Sequence, residues 1–437
     1  MTVVSIVGLG KLGSPMMAVL ANAGIETIGY DIDASIVDAI NDGRAPVDEE
    51  GLQDYLDRNR PRIRATHDLA EAVLGSSVTF IIVPTPSDDD GVFTNAYVED
   101  ALRSIGTALR QKSAYHVVVV SSTVMPGSMD GPLRAAIEES SGRRIGPDLG
   151  FCYNPEFIAL GSVIRDMEAP DVLLIGQSDE RAGELLEEIH AQYLKNEPSV
   201  RRMNWVNAEI TKIAINTFVT TKISFANMLS GLCDTLDGAD TDVVTEAVGA
   251  DSRVGSKYLK GAVAYGGPCF PRDNRALATL GHRRGVPMAL ADATDSINDW
   301  QTERLARIVS DTCDRGGTVA VLGISYKPGT GVCEASQGIA LVHRLHEDGF
   351  TVRASDPMAF GSSAPPDLPP GVGIDSDHHA AVAGCEVAVI ATPWPAYREL
   401  GVSGLTVIDP WGVVEAAEGL SLIRPGRGDA PQAALVG

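Results

Sequence analysis

This 437-residue sequence contains few positively charged residues, and lysine is rare among them. Lysine and arginine together number 35 against 58 aspartate and glutamate residues, which gives a formal net charge of −23 at pH 7. Only eight of the cations are lysines, so arginine supplies most of the positive charge. Binding to nucleic acids or to anionic membranes requires clustered cations that displace counterions. The composition therefore disfavours a nucleic-acid partner and a membrane partner.

Long hydrophobic runs and paired cysteines are also missing. No stretch reaches the roughly 18 consecutive apolar residues that a transmembrane helix needs. The chain opens on a strand-like segment, 2–7, where a leader would have a basic and then an apolar region. The six cysteines are far apart, with no CxxC pair and no zinc-ligand spacing. We therefore expect free thiols, no metal and a cytoplasmic location.

The hydrophobic pattern predicts an α/β protein with three domains and a tail. In residues 1–197, β-branched runs alternate with amphipathic helical periods, which is typical of a Rossmann-type, doubly wound parallel sheet. Residues 198–312 predict an all-helical domain with one long helix over 205–237, roughly 45–50 Å in length. The alternation resumes over 313–425, which predicts a C-terminal Rossmann-like α/β domain. The Gly/Pro/Ala-rich tail, 426–437, is predicted to be loose.

The predicted strands are short β-branched runs. In the first domain they are 2–7, 25–30, 78–83, 116–120, 150–153 and 171–175, and in the third they are 317–323, 350–355, 386–391 and 405–409. Predicted helices of the first domain are 34–42, 95–110 and 180–194. One interpretation is that the two α/β domains are distant copies of one plan.

A glycine-rich motif follows the first predicted strand and opens a helix. It reads Gly8-Leu9-Gly10-Lys11-Leu12-Gly13. In this context the glycines permit a tight turn, close approach of a pyrophosphate and packing of the helix on the strand. Asp31 ends the second predicted strand, where its carboxylate can accept hydrogen bonds from a ribose 2′-hydroxyl. Residue 32 is Ile rather than an arginine that would hold a 2′-phosphate, so the motif predicts NAD.

Two candidate catalytic groups lie downstream. Lys212 and Asn216 are spaced i and i+4 on the predicted long helix, so they project from one face. The lysine can stabilise an alkoxide or oxyanion, and the amide can orient a hydroxyl or a water. Taken alone, such a pair is more typical of a solvated helix face.

The second group is a cysteine in a glycine- and proline-rich loop. The segment reads Tyr265-Gly266-Gly267-Pro268-Cys269-Phe270-Pro271-Arg272-Asp273. An isolated cysteine is more often a small buried hydrophobic residue than a nucleophile. Here the glycines and prolines indicate a rigid loop, and Arg272 and Asp273 place charge beside the thiol. Because a nearby cation favours the nucleophilic thiolate, Cys269 is a candidate for covalent catalysis.

Polar residues also end several predicted strands of the first domain. They are Thr85-Pro86, Ser121-Ser122-Thr123 and Asn154-Pro155-Glu156-Phe157. Ligands of open α/β sheets bind at the carboxyl ends of strands. A hydroxyl such as that of Thr123 and the carboxylate of Glu156 can position and deprotonate a water there.

With these motifs the chain resembles the UDP-glucose/GDP-mannose dehydrogenase family, the nucleotide-sugar 6-dehydrogenases, over nearly its whole length. Further matching segments are Asn41-Asp42-Gly43 with Glu49 and Gly51-Leu52, Val83-Pro84-Thr85-Pro86, Ser122-Thr123-Val124, Glu209 with Lys212 and Asn216, Gly323-Ile324-Ser325-Tyr326-Lys327-Pro328, and Thr392-Pro393-Trp394. The cysteine loop together with the Lys-x-x-x-Asn pair is highly specific. The pattern is closest to the UDP-glucose branch of the family.

The resemblance implies oxidation of a nucleotide-sugar C6 hydroxymethyl to a carboxylate by two NAD⁺, a four-electron reaction. We expect UDP-glucose to be converted to UDP-glucuronate, for polysaccharide or secondary-metabolite biosynthesis. Cys269 is implied to capture the aldehyde as a thiohemiacetal and then to carry a thioester that water hydrolyses. Family members are at least dimeric through the central helices, so a homodimer or a higher homo-oligomer is expected.

The resemblance also implies roles for individual residues. Catalytic roles fall to Cys269, to Lys212 and Asn216 for the oxyanions, to Asp273 for the thiol or water, and to Glu156 with Thr123 for proton transfer. The implied cofactor-binding residues are Gly8, Gly10, Lys11, Leu12, Gly13, Asp31, Thr85, Pro86, Thr123 and Arg272. The implied substrate-binding residues are Glu156, Phe157, Ile158, Lys212, Asn216, Arg253, Tyr258, Lys260, Gly266, Tyr326 and Lys327. In some members the arginine that matches Arg253 reaches the substrate of the neighbouring subunit.

Several positions depart from the family pattern. Ile36 stands where a lysine or arginine is usual, and Leu160 replaces a glutamate. Cys333 stands where a cofactor-binding arginine is expected, and Trp411 lies in a stretch that usually contains another arginine. Arg272 replaces a lysine and presents a planar fork in place of a point charge. The lost charges surround two anionic ligands, so we expect them to affect ligand affinity.

Three alternatives remain open. The same chemistry on GDP-mannose or a UDP-N-acetylhexosamine is the first. A two-electron β-hydroxyacid-type dehydrogenase shares the Rossmann plan, the long helix and the Lys-x-x-x-Asn pair but has no use for Cys269. A degenerate NAD-binding scaffold is supported only by the lost arginines.

Overall fold

A computed structural model describes residues 2–88, 90–361 and 366–428. The chain divides into two compact units, one ending at Ile213 and the other beginning at Ala214. The predicted boundaries of three domains remain a prediction, and residues 429–437 of the predicted tail lie outside the described residues. None of the helices in the described residues combines the length and the apolarity that crossing a membrane requires.

Within its described residues the first unit contains eight strands, eight complete α-helices, a 3₁₀ helix at Arg60–Arg62 and a π-helical turn at Met129–Leu133. The strands are β1 Val3–Val7, β2 Glu26–Tyr30, β3 Ile63–Thr66, β4 Val78–Ile81, β5 His116–Val120, β6 Leu149–Tyr153, β7 Val172–Gln177 and β8 Ser199–Met203. The helices are α1 Gly13–Asn22, α2 Ala34–Asn41, α3 Leu52–Asn59, α4 Leu69–Leu74, α5 Ala96–Leu109, α6 Arg134–Ser141, α7 Val163–Glu168 and α8 Glu180–Ala191. A ninth helix, α9 Trp205–Cys233, begins in this unit.

These strands form one sheet in the order β3-β2-β1-β4-β5-β6-β7-β8. Strands β1 to β6 are parallel to one another. Strand β7 is antiparallel to β6, and β8 is parallel to β7. Central strands such as β5 are buried throughout because helices cover both faces of the sheet. One face packs on α1, α3 and α8, and the other packs on α5 and α6. The predicted doubly wound sheet is therefore confirmed.

The sequence pattern missed two strands of this sheet, β3 and β8. Both lie at its edges, where a strand has a partner on one side only and needs no continuous apolar run. Arg64 interrupts the apolar pattern of β3, and Arg201 and Arg202 interrupt that of β8. The antiparallel direction of β7 was also not predicted, because the sequence of so short a strand does not indicate the direction in which it pairs.

The second unit contains the rest of α9, five further helices and six strands within the described residues. The helices are α10 Thr241–Ala250, α11 Phe270–Arg283, α12 Ala289–Thr312, α13 Gln337–Glu347 and α14 His378–Val382. The strands are β9 Thr318–Leu322, β10 Thr351–Ser355, β11 Ile374–Asp375, β12 Val387–Ile390, β13 Thr406–Ile408 and β14 Ser421–Ile423. They form a parallel sheet in the order β11-β10-β9-β12-β13-β14. The short strands β11 and β14 were not predicted.

The two sheets repeat one plan, as the sequence suggested. The order of the second sheet matches that of β3-β2-β1-β4-β5-β6 in the first. In each, the first strand leads into a glycine with positive φ, Gly8 or Gly323, both at +97°. A carboxylate after the next strand, Asp31 or Asp356, accepts backbone N–H groups of the turn that follows this glycine. The shared order and the shared turn support a duplication.

Helix α9 ends four residues before its predicted end at residue 237. Its 29 residues correspond to about 43 Å. Beyond Cys233 the backbone tightens, with Thr235 N donating to Leu232 O at 3.1 Å and Leu236 N donating to Cys233 O at 3.2 Å. At this helix end the Asp234 carboxylate accepts from partners outside the helix, Arg304 and the Gly426 N–H.

The first residues of the predicted loose tail are in fact packed, so this prediction is wrong for 426–428. The Gly426 N–H donates to Asp234 Oδ1 at 2.6 Å, and the Gly426 carbonyl accepts from Thr241 N at 2.9 Å. The Gly428 N–H donates to Ala239 O at 2.9 Å. Glycine here permits close approach of two backbones, whereas the sequence pattern suggested chain flexibility.

Replacing Asp234 with alanine is expected to destabilise the second unit. Arg304 is 5% exposed and donates to Asp234 from Nε at 2.9 Å and from Nη2 at 2.5 Å. Removing one partner of a buried pair costs about 3 kcal/mol, which lowers the melting temperature by roughly 6 °C or more. Scanning calorimetry measures the shift. The control is Asp130→Ala, which breaks an exposed pair with Arg134 and should change the melting temperature by less than about 2 °C. Equal shifts in the two variants would contradict the prediction.

Candidate functional site

The glycine-rich turn after β1 leaves room for a phosphate group. A Cβ on Gly8 would lie 2.2 Å from Ile82 O, and a Cβ on Gly13 would lie 1.8 Å from Gly8 O. A Cβ on Gly10 would meet no atom within 4 Å. Gly8 and Gly13 are thus required for packing, while Gly10 faces open space beside the N-terminus of α1. The turn therefore fits a pyrophosphate.

Asp31 is held beside this turn by two backbone groups. Its Oδ2 accepts from Leu9 N at 2.6 Å and its Oδ1 accepts from Asp33 N at 2.9 Å. Each oxygen keeps a lone pair that a ribose hydroxyl can use. Lys11 is exposed, and Leu12 is the residue that precedes α1. The turn and the carboxylate together fit a dinucleotide with free ribose hydroxyls, as predicted for NAD.

Asp31→Ala is expected to weaken NAD⁺ binding with little change in kcat at saturation. A hydrogen bond to a charged group contributes about 1.5–3 kcal/mol, so KM for NAD⁺ should rise roughly 10- to 150-fold. Discrimination against NADP⁺ should fall, because the carboxylate that repels a 2′-phosphate is gone. Initial rates with both cofactors measure these changes. Asp33→Ala, which removes the bonds from Ser35 N and Ser35 Oγ to the Asp33 carboxylate, is the matched control. An unchanged KM in Asp31→Ala would contradict the predicted role.

Hydrogen bonds join the loops that follow β4 and β5. Thr85 Oγ1 donates to Thr123 O at 2.7 Å. Ser122 Oγ accepts from Val83 N at 3.0 Å and donates to Val83 O at 2.6 Å. The predicted cofactor residues Thr85 and Thr123 are therefore neighbours, and the exposed Pro86 follows Thr85.

Lys212 is buried in the first unit against the loop that follows β6. It is 7% exposed, and its Nζ donates to Glu156 O at 2.7 Å. The ammonium also lies 4.6 Å from the centre of the Phe157 ring. A solvated helix face is thus excluded for Lys212, and the predicted grouping of Lys212 with Glu156 and Phe157 is found. Ile158, next in the loop, is half-buried.

The Glu156 carboxyl group lies in a site that disfavours its ionised form. Its Oε1 is buried and accepts no hydrogen bond from any described residue. Burial raises the pKa of Glu156 to about 7, although the nearby Lys212 charge acts in the opposite direction. A carboxyl group with such a pKa can both accept and donate a proton near neutral pH.

Glu209 has a structural function that the motif match did not reveal. It is fully buried, and its carboxylate accepts from Gly127 N and Met129 N, each at 2.7 Å. These bonds fasten the start of α9 to the connection after β5, which also contains Thr123. Glu209 and Lys212 are three residues apart and therefore lie on one helix face. This spacing was the sequence signal that could have indicated a role for Glu209.

Cys269 lies at the N-terminal end of α11 in the second unit. It is the N-cap residue of the helix, and Pro271 occupies the first turn, where a proline is tolerated. Among the described cysteines Cys269 alone is exposed; Cys333 is half-buried and the other four are buried. The interpretation as a buried hydrophobic residue is therefore wrong. The positive end of the helix dipole favours negative charge at this position.

A buried carboxylate lies next to this helix end. Asp273 is 1% exposed, and its backbone N–H donates to Cys269 O at 2.8 Å. Asn216 Nδ2 donates to Asp273 Oδ2 at 2.6 Å, and Arg272 Nε lies 3.5 Å from Asp273 Oδ1. The second unit thus groups four of the predicted residues, and Asn216 orients the carboxylate of Asp273.

The loop before Cys269 packs tightly against the segment after β9. A Cβ on Gly266 would lie 2.3 Å from Ala335 O, and a Cβ on Gly267 would lie 2.5 Å from the Tyr326 ring. Burial raises the pKa of the Tyr326 phenol, and the nearby Cys269 adds to the increase. Tyr326 and Gly266 are therefore close to the cysteine, as predicted, and Lys327 is half-buried next to Tyr326.

The other predicted substrate residues are less closely grouped. Tyr258 has a φ of +63° and packs edge-on against Phe270, with ring centres 6.2 Å apart. Lys260 pairs with Asp242 at 2.9 Å. The side chain of Arg253 is 87% exposed and pairs with Asp251. Only Tyr258 thus contacts the cysteine loop through a described contact, and the roles of Lys260 and Arg253 remain predictions.

Four of the five positions that depart from the family pattern are used for packing. Ile36 and Leu160 pack against the core of the first unit, and Cys333 and Trp411 pack against the core of the second. Trp411 also donates from Nε1 to Ala391 O at 3.2 Å. Apolar contacts thus occupy all four positions, and the expected effect on ligand affinity remains a prediction.

Comparison with known proteins shows similarity over the whole chain. The UDP-glucose/GDP-mannose dehydrogenase family matches through its NAD binding domain at residues 2–194, its central domain at 206–300 and its UDP binding domain at 320–416. A UDP-glucose 6-dehydrogenase of Haloferax volcanii is 35% identical over 425 residues, covering 95% of this chain and 98% of that protein. A GDP-mannose 6-dehydrogenase of Pseudomonas aeruginosa is 34% identical over 357 residues, covering 81% and 80%. The structure of a UDP-glucose dehydrogenase from Pyrobaculum islandicum superposes with a TM-score of 0.90 at 34% identity, covering 98% of both chains.

Proposed function

The chain belongs to the UDP-glucose/GDP-mannose dehydrogenase family of NAD-dependent oxidoreductases, and we propose that it oxidises the C6 hydroxymethyl of UDP-glucose to the carboxylate of UDP-glucuronate. The observation that carries this proposal is the exposed Cys269 at the N-terminus of α11, beside Asp273 and Tyr326. A dehydrogenase that stops at an aldehyde needs no nucleophile there. One that proceeds to the acid through a covalent intermediate does.

The proposed covalent route uses the chain's own thiol to make the second oxidation possible. NAD⁺, when bound, accepts a hydride, and two molecules account for the four electrons. The aldehyde from the first oxidation is attacked at its carbonyl carbon by the Cys269 thiolate, which gives a tetrahedral thiohemiacetal. The second oxidation of that carbon leaves a thioester. Water then breaks the carbon–sulfur bond, releases the carboxylate and returns the thiol.

Residues of the first unit are proposed to act on the charges and protons of these steps. The buried ammonium of Lys212 can stabilise the oxyanion, since electrostatic stabilisation is strong where water is excluded. Glu156 can accept a proton from the attacking water, because its pKa near 7 leaves it partly ionised at neutral pH. Thr123, on the neighbouring strand-end loop, can help to position that water.

Residues of the second unit are proposed to hold and tune the thiol. Asp273 is fixed by Asn216 at 2.6 Å and bonds through its backbone to Cys269. It can therefore affect the proton of the thiol or that of the water, and Asn216 can also hydrogen bond to an oxyanion. The preference for UDP-glucose is supported by the relatives that act on it and by the UDP binding domain match at residues 320–416.

We also propose a homodimer or a higher homo-oligomer through α9. In the part of this helix that belongs to the second unit, four large apolar side chains are 42–63% exposed, Phe218, Phe225, Met228 and Leu232. Exposed apolar patches of this kind indicate protein interfaces. Light scattering after size-exclusion chromatography measures the assembly, and a mass equal to one chain would contradict it.

Stoichiometry tests the proposed reaction. The protein is incubated with NAD⁺ and, separately, with UDP-glucose, GDP-mannose and a UDP-N-acetylhexosamine, and NADH formed is counted per sugar consumed. A ratio near two with UDP-glucose supports the proposal. A ratio near two with only another sugar nucleotide corrects the substrate, a ratio near one removes the thioester route, and no turnover with any of them contradicts the activity.

A further inference from the structure

A buried segment without regular secondary structure leads into the cysteine loop. It comprises Ala262–Tyr265, whose residues are between 1% and 6% exposed, and it belongs to no helix or strand. Buried backbone N–H and C=O groups must find hydrogen-bond partners. A strand would find them in a neighbouring strand, but this segment has none. Side-chain amides are the partners of five of its eight backbone groups.

Two amides bind the start of the segment from different helices. Asn227, in α9, accepts from Ala262 N at 2.9 Å and donates to Val263 O at 3.0 Å. Gln301, in α12, donates to Ala262 O at 2.6 Å. Both amides are fully buried. The segment is thus held on both sides where it enters the core.

A third amide binds the end of the segment, immediately before the glycines. Asn298, in α12, accepts from Tyr265 N at 2.7 Å and donates to Tyr265 O at 3.0 Å, so one side chain satisfies both backbone groups of one residue. The Tyr265 hydroxyl in turn donates to Asp295 of the same helix. Beyond Tyr265 the chain has only Gly266, Gly267 and Pro268 before Cys269.

We infer that Asn298, supported by Asn227 and Gln301, is a positioning residue for Cys269. Its reciprocal pair of bonds holds Tyr265, the last anchored residue before the glycines. The packing of Gly266 on Ala335 and of Gly267 on Tyr326 then restricts the path of the backbone from Tyr265 to Cys269 at the start of α11. This inference rests on the proposed function in so far as Cys269 is the nucleophile.

Loss of this anchor should act on the thiol rather than on the cofactor. Without the Asn298 amide, the buried N–H and C=O of Tyr265 lose their partners, and the segment gains by moving toward water. Such a movement takes Cys269 away from the helix end. A misplacement of about 1 Å can reduce a rate about 100-fold.

Alkylation of Cys269 tests the inference without needing catalysis. Wild type and Asn298→Ala are treated with iodoacetamide between about pH 6 and pH 9, and the peptide that contains Cys269 is quantified by mass spectrometry. We expect the variant to react at least about fivefold more slowly at pH 7, with the midpoint of its pH profile shifted upward. The kcat should fall at least tenfold, while KM for NAD⁺ changes less than twofold.

Two further variants keep the test decisive. Asn298→Asp preserves the size and the acceptor for Tyr265 N but sets a carboxylate oxygen against Tyr265 O. It should also slow alkylation and shift the profile upward, and it provides the test if Asn298→Ala does not fold. Asn59→Ala removes a buried amide of the first unit that donates to Tyr55 O at 2.9 Å and should match wild type in both assays.

The inference would be overturned if a folded Asn298 variant alkylated and turned over like wild type. It would also be overturned if Asn59→Ala slowed alkylation equally, since the effect would then reflect general loss of packing. A wild-type protein that makes no acid from any sugar nucleotide contradicts the proposed function instead, and the alkylation comparison still decides whether Asn298 positions the thiol.

Discussion

Cys269→Ala should form no carboxylate, with a loss of at least about 1,000-fold, while NAD⁺ still binds. Without the thiol, the aldehyde cannot form the thiohemiacetal that the proposed second oxidation uses. NADH formed per sugar consumed should therefore not exceed one. Product analysis by mass spectrometry distinguishes aldehyde from acid, and a fluorescence titration measures NAD⁺ binding.

Cys333→Ala is the matched control for this result. Cys333 is the other cysteine of the second unit that is not fully buried, and burial together with the nearby Asp356 raises the pKa of its thiol to about 11, which disfavours the thiolate. This variant should still form acid with two NADH per sugar. Unchanged acid output from Cys269→Ala, or the same loss in both variants, would contradict the covalent mechanism.

Glu156→Gln should accumulate a thioester on Cys269. The amide cannot take a proton from water, so hydrolysis slows by roughly 100- to 10,000-fold, whereas formation of the thioester does not need this base. The protein should show a mass increment equal to the bound acyl nucleotide sugar, which hydroxylamine removes. Normal turnover without the increment would exclude Glu156 from this role.

The same carboxylate predicts how the rate depends on pH. Burial raises the pKa of Glu156 from its ordinary value to about 7. A general base acts in its ionised form, so acid formation should fall about tenfold per pH unit below about pH 7 and level off above it. Glu156→Gln should lose this dependence. Glu168→Gln alters another buried carboxylate of the first unit, paired with Lys195 at 2.5 Å, and should keep the profile.

Local patterns made most of the architecture predictable. The runs of β5 and β9 are continuous and apolar because helices cover both sheet faces, and such runs leave a clear mark in the sequence. The glycine-rich turn was equally clear, since the packing at Gly8 and Gly13 excludes any side chain. Edge strands such as β3 and β8 carry no such mark, because half of their surface faces solvent.

The long helix and the tail show where local patterns fail. A continuous run without helix breakers extends past Cys233, yet the helix ends there. At this end the backbone bonds shorten to three residues, and the Asp234 carboxylate bonds to Arg304 and Gly426, which are distant in the chain. The glycines of the tail suggested flexibility, whereas the structure uses Gly426 and Gly428 for close backbone contacts. Composition alone does not distinguish these two uses of glycine.

The sequence by itself determined the family and the cofactor, and it predicted the chemical groups, because a turn motif, a cysteine loop and a Lys-x-x-x-Asn spacing are local and specific. Only the tertiary structure decided the environment of those groups. The burial of Lys212 and Glu156, the exposure of Cys269 and the amide of Asn298 on Tyr265 depend on contacts between distant parts of the chain. Such contacts set desolvation and hydrogen bonding, and these in turn set the charge state and position on which the proposed chemistry depends.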